Sequence, residues 1–311
     1  MLVDGTLDLL DTLISLVDNH VPVLVLEGFQ MYLLAPAWVI LIATLATRQW
    51  ALAVPAVFVA VSHLLFCLPA ATADSVPPWA SDAPTMTVFV ANVRYGNPRA
   101  DELARDVMAS NADIVVLNET TPAIRDALRA AGTSDRYPTR VHVEGRPFGE
   151  TLMTRLPATD AGVEVLGGQR VPAATVSVGD REVRVYSVHV NAPKSSAQRH
   201  IWRRNLDGIG GSAEAAGDVP HLYAGDFNSA PWHGPYRRLL ARGLTDAHDA
   251  LGQGLSRSWT PHPAVLSWLG PVMRLDHALF TPGLFPRSLT DVEVPGSDHR
   301  GFLLEIAVRQ P

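Results

Sequence analysis

Two uncharged apolar stretches near the N-terminus limit what this chain can fold into more than any other feature. Residues 28–47 (GFQMYLLAPAWVILIATLAT) run 20 residues without a formal charge, and residues 49–73 (QWALAVPAVFVAVSHLLFCLPAATA) run another 25. Each is long enough to cross ~30 Å of hydrocarbon at ~1.5 Å per residue. The segment 28–73 is therefore predicted to hold two transmembrane helices, about 28–47 and 50–70, forming a hairpin. Pro36 and Pro55 would break helices in water, but a bilayer helix tolerates proline where neighbours or waters satisfy the freed carbonyls. Tyr32, Trp38 and Trp50 fall where aromatic side chains anchor at an interface. His63, inside the second run, reads as a polar contact to the partner helix. A hairpin buried in a soluble protein is the competing arrangement.

Residues 1–27 begin acidic and lack the basic start of a cleaved signal peptide, so the spans are expected to be retained. Asp8, Asp11 and Asp18 recur among leucines at helical spacing. This predicts an amphipathic N-terminal helix over 1–27, on the membrane surface or against the hairpin, ended by Asn19-His20-Val21-Pro22. Arg48, in the turn between the spans, is the one basic residue among the first 79. Basic residues prefer the cytoplasmic side, which places both flanks outside the cytoplasm and makes the chain a multi-pass cell-membrane protein with an extracytoplasmic C-terminal domain. Residues 71–85 (ATADSVPPWASDAPT) read as an exposed linker, bounded at 74–85, before a folded domain over 86–311.

Composition narrows that domain. With 47% apolar and 18% charged residues, a 311-residue chain buries a full core and is not disordered. A single cysteine, Cys67, excludes a disulfide scaffold and a cysteine-rich zinc site. Of the 25 basic and 31 acidic residues, one and six lie in the first 79, which leaves 24 basic and 25 acidic for 80–311. So near-neutral a domain is not a non-specific DNA-coating protein, although a local basic groove stays open.

Apolar, β-branched runs predict strands at 86–93, 113–117, 151–154, 173–178, 182–190, 221–225, 275–280 and 302–308. Helices are expected at 99–110, after Pro122, at 195–209 and at 234–241. The polar residues that end these strands carry the functional signal. Asn92 ends the first, Asn118-Glu119 end the second, and His189 and Asn191 end VRVYSVHVN. Asp226 and Asn228 end HLYAGDFN, Asp276 lies in RLDHALF, and Ser297-Asp298-His299 precede FLLEIAV. Taken singly, each is an ordinary turn residue. Together they predict that these strand ends converge on one polar pocket.

The blocks LNET with Glu119, SVHVN, GDFNSAP with Asp226 and Asn228, RLDHALF and GSDHR, with Asn92 ahead of them, resemble the endonuclease/exonuclease/phosphatase superfamily in its own order across 86–308. That superfamily includes deoxyribonuclease-like and sphingomyelinase-like enzymes. The resemblance implies an α/β fold, a four-layer α/β/β/α sandwich of two packed mixed sheets flanked by helices. It also implies metal-dependent cleavage of phosphate esters. A phosphodiester is an anion that repels hydroxide, so a hard cation must offset charge at the phosphoryl oxygen. Magnesium, or manganese in its place, suits carboxylate ligands, and the resemblance gives that role to Glu119 and Asp298. By the same resemblance Asp276 orients His299, and that pair with Asp226 activates or positions the attacking water. Asn92 and Asn228 bind the phosphate or the metal shell. His189, with Asn191, contacts the phosphate or protonates the leaving oxygen, and Glu150 either pairs with His189 to raise its basicity or is a surface glutamate.

Other polar residues read as structural. Arg155 reads as a structural ion pair or a substrate contact, Asp246 caps or turns a chain segment, and GIGGSAEAAG at 208–217 is a flexible loop rather than a phosphate cradle. His142, His200, His221, His233, His248 and His262 lack ligand spacing. Arg199, Arg203 and Arg204 fit either a phosphate groove or a solvated helix face. The expected function is a membrane-tethered, Mg-dependent phosphodiester hydrolase with an Asp/His-activated water and no obligate protein partner. Its substrate is nucleic acid, with Trp202 and Trp232 for stacking, or a lipid headgroup, with Trp259, Trp268 and Leu269 touching the membrane. A phosphomonoesterase needs a closed pocket. The alternative is a catalytically degenerate binding or scaffold protein of the same fold.

Overall fold

The computed structural model describes residues 21–145, 149–261, 268 and 270–311. The expected N-terminal amphipathic helix and Leu269 mostly or wholly lie outside them, although Val21 and Pro22, expected to end that helix, are themselves helical. Helices α1 (Val21–Gly28), α2 (Gln30–Leu34), α3 (Pro36–Ala46) and α4 (Trp50–Ala70) come first, followed by β1 (Thr85–Asn92), α5 (Ala100–Ala109), β2 (Ile114–Thr120), α6 (Pro122–Ala130) and α7 (Thr133–Arg136). Strands β3 (Thr139–Val143), β4 (Gly149–Thr154), β5 (Ala158–Leu166), β6 (Gln169–Val178) and β7 (Arg181–His189) lead to α8 (Ser196–Glu214). The chain ends with β8 (His221–Asp226), α9 (Gly234–Leu240), β9 (Thr245–Asp246), α10 (Ala247–Ala250), β10 (Asp276–Phe280), β11 (Leu284–Glu293) and β12 (Arg300–Val308).

The strands form two six-stranded mixed sheets, ordered β11-β12-β1-β2-β4-β3 and β5-β6-β7-β8-β10-β9. Each has one parallel pair at its centre, β1 with β2 and β7 with β8, flanked by antiparallel neighbours. Side-chain alternation explains why the central strands read as unbroken apolar runs. Met86, Val88, Val90, Ile114 and Val116 meet Val183, Val185, Leu222 and Ala224 between the sheets. Phe89, Ala91, Val115 and Leu117 pack instead on Leu103, Val107, Ile124 and Leu128 of α5 and α6. On the far side Tyr186, Val188, Tyr223 and Leu279 pack on Trp202, Leu206 and Ile209 of α8. Two packed sheets with helices on both outer faces are the layers expected, and each fully buried large side chain contributes roughly 1.5–3 kcal/mol.

Three features differ from the sequence expectation. Helix α8 runs through the glycines to Glu214, because its hydroxyl-capped start at Ser195 and its buried face outweigh them. A Cβ on Gly208 would overlap the backbone of Gly167, so glycine is what lets the helix lie against the β5–β6 turn. The first apolar stretch is not one helix. It breaks at Phe29 and Ala35, leaving 11 residues in α3, and among the described residues only α4 is long and apolar enough to cross a membrane. Helix α3 turns back along α4 through Arg48, which adopts φ 58°, and Trp38 Nε1 donates to His63 Nδ1 at 3.0 Å.

The chain beyond α4 is mostly exposed but docked. Asp74 N–H donates to Ala250 C=O at 2.9 Å and Gly254 N–H donates to Ala70 C=O at 2.7 Å. Ala80 is fully buried, and Arg287 donates to the carbonyls of Ala80 and Ala83. Gly208→Val is expected to destabilise the protein by about 1–3 kcal/mol, the cost of overpacking. Thermal unfolding measures it, and an unchanged midpoint contradicts the close helix–turn approach.

Candidate active site

The pocket forms because both parallel pairs end level with one another. Asn92 pairs in register with Asn118, His189 with Asp226, and Asp226 with Asp276 on the antiparallel β10. Asn118 crosses the gap between the sheets: its Oδ1 accepts the Asp226 N–H at 2.9 Å, and its Nδ2 lies 3.4 Å from Ser187 Oγ. A Cβ on Gly225, at φ 138°, would overlap Val188 C=O and crowd Asn118 Oδ1, so the glycine of GDFN serves this approach.

Glu119 is aimed into the pocket by a β-bulge. The β2–β4 register shifts between Asn118 and Thr120, and Glu119 takes φ 62°. Its Oε2 accepts the Tyr95 N–H at 2.6 Å and its Oε1 lies 3.3 Å from Asn92 Nδ2. Asn92 also donates to Asp226 Oδ2 at 2.9 Å, and Asn228 N–H donates to Asp226 Oδ1 at 2.8 Å. Asn228 is held at φ 46°, with its Nδ2 on Val190 C=O at 2.9 Å. His189 Nε2 stands 3.8 Å from both Glu119 Oε1 and Asp226 Oδ2.

His299 faces the same space. Its Nδ1 is 2.7 Å from Asp276 Oδ2 and its Nε2 is 4.0 Å from Asp226 Oδ2. Burial opposes charge on this ring, but Asp276, with Asp226 and Asp298 nearby, outweighs burial and pushes His299 up to about 10. Burial would likewise raise Asp276, yet the charge and hydrogen bond of His299 hold it below its ordinary value. Burial raises Asp226, helped by the charge of Asp276 and opposed by His299. Ser258 Oγ accepts the N–H of Leu275 at 2.9 Å and of Asp276 at 3.1 Å, while Ser297 Oγ donates to Asn92 C=O and accepts the His299 N–H. Those two hydroxyls fix the carboxylate and the ring to neighbouring strands.

The donor set suits a hard divalent cation. Glu119 and Asp298 line the cavity with the carboxylates such a cation prefers, and beside them ligand atoms of Asp226, Asp276 and His299 lie within 4.8 Å of one another, with Asp276 Oδ1 buried and without a hydrogen-bond partner. Glu119, Asp298, Asp226, Asn228, His189 and His299 all line one cavity of about 920 Å³.

Two expected site residues are used differently. Glu150 Oε1 accepts from Gln169 Nε2 at 3.2 Å, and the same amide donates to the His189 C=O, so Gln169 stands between the carboxyl and the backbone of His189. Asn191 lines the cavity, but its Nδ2 donates to Ala192 and Gln198 carbonyls and holds the start of α8. The arginines of α8 stay outside the cavity lining, where the helix presents Gln198, Ile201 and Asn205. Trp202 is fully buried, donating to Ser229 Oγ at 3.0 Å, and is not available for stacking; Trp268 is 78% exposed. Arg155 pairs with Asp113 at 2.8 Å, as expected of a structural ion pair.

A second polar cluster lies behind the site. Asp246 accepts the His248 N–H, as a cap should, but is also bonded by Tyr236 Oη at 2.6 Å and His277 Nδ1 at 2.8 Å. Arg274 reaches Asp246 at 3.3 Å and Asp249 at 2.8 Å. His277 follows Asp276 directly, so this hub anchors the strand that carries it. The sequence signals it only as scattered polar letters in apolar runs.

Burial, partly offset by Gln169, raises Glu150 well above the ordinary carboxylate range. The unfolded chain loses this proton at lower pH than the folded chain, so wild-type stability falls as pH rises from the ordinary carboxylate range through the folded value. Glu150→Gln removes that titration. Its thermal midpoint is expected to fall less between about pH 5 and about pH 8 than that of wild type. Parallel curves contradict a buried, protonated Glu150.

Comparison with known proteins follows the geometry. The Endonuclease/Exonuclease/phosphatase family profile matches residues 90–299. No curated protein matches the chain. Among solved structures, D. rerio TDP2 complexed with single strand DNA product is similar at 16% identity and TM-score 0.62, over 72% of this chain and 99% of that one. The 3′ phosphatase NExo from Neisseria bound to a product DNA hairpin aligns at 22% identity and TM-score 0.56, over 70% and 98%. Sphingomyelinase C from Streptomyces griseocarneus aligns at 19% identity and TM-score 0.50, over 71% and 99%. At these identities the likeness is one of fold. With the profile spanning most of the chain and both sheets arranged as that fold requires, the protein belongs to the endonuclease/exonuclease/phosphatase family.

Proposed function

We propose that this protein is a metal-dependent hydrolase of phosphate diesters, tethered to a membrane by its N-terminal helices. The observation that carries this reading is the convergence of Glu119, His189, Asp226, Asp276, Asp298 and His299, from separate strand ends, around one cavity. Glu119 and Asp298 would hold Mg or Mn, which when bound supplies charge to offset the phosphoryl oxygens.

The chain's own groups account for the proton movements. A water between Asp226 Oδ2 and His299 Nε2, 4.0 Å apart, lies in hydrogen-bond reach of both. As its oxygen bonds to phosphorus, its proton passes to Asp226, which faces the hydrogen-bonded His299–Asp276 pair at 4.0 Å. Asn228, held by its N–H on Asp226, offers an amide donor to the phosphoryl oxygens, while Asn92 gives both amide hydrogens to Glu119 and Asp226 and holds those carboxylates in place. The opposite P–O bond breaks, and His189 gives a proton to the departing alcohol oxygen.

The tether reading rests on α3 and α4. Their turn at Arg48 lies at the far end from the folded domain, so a hairpin entering the bilayer from the domain's side leaves Arg48 toward the cytoplasm and the active site outside. Helix α3 covers about 16 Å at ~1.5 Å per residue, so α2 and the Pro36 break complete the return path.

Mg-dependent hydrolysis of an aryl phosphodiester by the full chain in detergent tests the reading. His299→Ala and Asp226→Asn are expected to lower kcat by about 10²–10⁴-fold while folding persists. Glu119→Gln is expected to raise the Mg concentration at half-maximal rate. Full activity in the first two variants overturns the site, and a folded wild type without any phosphoesterase activity favours the binding-protein alternative.

A further inference from the structure

The cavity that holds the strand-end residues has a second wall from outside the family's matched region. Leu24, Val25 and Phe29, on and just after α1, line it together with Glu119, His189, Asp298 and His299, as do Ile201 of α8 and Met273. This segment is fastened to the domain. Leu24 is buried in the core cluster that contains Phe227 and Tyr236, and its C=O accepts from His233 Nε2 at 3.0 Å. Tyr32 Oη donates to Val272 C=O at 3.0 Å and accepts from Arg257 at 3.1 Å. Gly28 lies so close to Met273 and His233 that a Cβ would crowd both.

Three observations fix the chemistry of what this wall faces. Val25 and Ile201, which line the cavity, are 50% and 38% exposed, and apolar area that a ligand buries contributes roughly 25 cal/mol per Å². The same segment continues directly into α3 and α4, whose outer faces are apolar and exposed at Val39, Val54 and Phe58, so the apolar end of the cavity joins the apolar helices. Among the described lining residues, the bases Arg94, Arg170 and Lys194 and three histidines stand beside the acids Glu119, Glu144, Asp226 and Asp298, so bases do not dominate the lining. A nucleic-acid strand, with a charge on every phosphate, needs a predominantly basic track; Trp259, which also lines the cavity, suits a base or an acyl chain alike and does not decide between them. A cavity of about 920 Å³ also far exceeds one phosphate group.

We propose that the substrate is a phosphodiester lipid drawn from the bilayer, its phosphate among the strand-end residues and its apolar chain against Leu24, Val25, Phe29 and Ile201. This rests on the hydrolase reading above. Water adds to phosphorus, the P–O bond to one alcohol breaks, and the products are a phosphomonoester and that alcohol, one of which keeps the apolar chain.

The test uses the full chain and Mg with one phosphodiester headgroup carrying acyl chains of increasing length, supplied as monomers and in phosphatidylcholine vesicles. A single-stranded DNA oligonucleotide runs in parallel. The proposal expects KM to fall at least about tenfold from the shortest to the longest chain, since each buried methylene contributes up to about 0.8 kcal/mol. It also expects turnover of the longest chain in vesicles. Val25→Asp and Phe29→Asp flatten that chain-length dependence, whereas Val165→Asp, exposed on the outer strand β5, keeps it. Val25 is half exposed, so its variant keeps the fold even if the Phe29 variant does not, and a thermal midpoint checks both. Equal KM across chain lengths, an undiminished dependence in Val25→Asp, turnover confined to monomers, or preference for the oligonucleotide overturns the lipid assignment and leaves the hydrolase reading standing. No hydrolysis of any ester overturns both.

Discussion

Everything at the site depends on the amides that bridge the two sheets at Asp226, those of Asn118 and with it Asn92. The layer that joins them is filled by Val, Ile, Leu, Ala and Phe, a packing with no direction of its own. Asn118 supplies direction: buried and fully enclosed, it binds the Asp226 N–H from one sheet to the other. A buried amide left unpaired costs about 1–3 kcal/mol, so sliding one sheet past the other is penalised at this point specifically. With that alignment fixed, the ends of both parallel pairs are level, and Asn92, Glu119, His189 and Asp226 share one small volume. The antiparallel β10 and the loop before β12 then bring Asp276 and His299 to it from the opposite direction.

Much of this was legible because the central strands are apolar on both faces and any polar residue in them stands out. Asn92, Glu119, His189, Asp226, Asp276 and His299 were found by that contrast, and the structure brings them together. Edge strands gave no such contrast. β5 alternates exposed and half-buried residues around Gly162, and β11 is interrupted by a register shift at Pro286, so neither shows an apolar run. The glycines of helix α8 look like loop residues in the sequence, which is why its expected end falls short at 209, whereas Gly208 serves close packing on Gly167 and Gly210 on Arg242. Asp246 was legible as a cap but not as the hub of a buried charge network, which needs Tyr236, His277 and Arg274 brought from elsewhere in the chain.

The N-terminal segment shows where sequence reasoning reaches its limit physically. Leucine, valine and phenylalanine are equally suited to lipid, to a protein core and to the wall of a cavity. The first apolar stretch divides among these uses: Leu24, just ahead of it, enters the core, Phe29 lines the cavity, and α3 packs along α4. Length alone could not separate them. The backbone bonds of Ala70 and Asp74 to Gly254 and Ala250 fasten the other end of this segment beside Asp249, which Arg274 joins to the hub behind Asp276. The apolar helices and the active site are thus parts of one packed body, and the fold family by itself does not say what such a body acts on.

The most direct test of the central claim, that the strand ends position a water for attack at phosphorus, is hydrolysis of a phosphodiester by the full chain with Mg in ¹⁸O-labelled water. Mass spectrometry of the products after a single turnover locates the new oxygen. The account predicts one labelled oxygen on the phosphomonoester and none in the released alcohol. Label in the alcohol, or product formed without label on phosphorus, contradicts it.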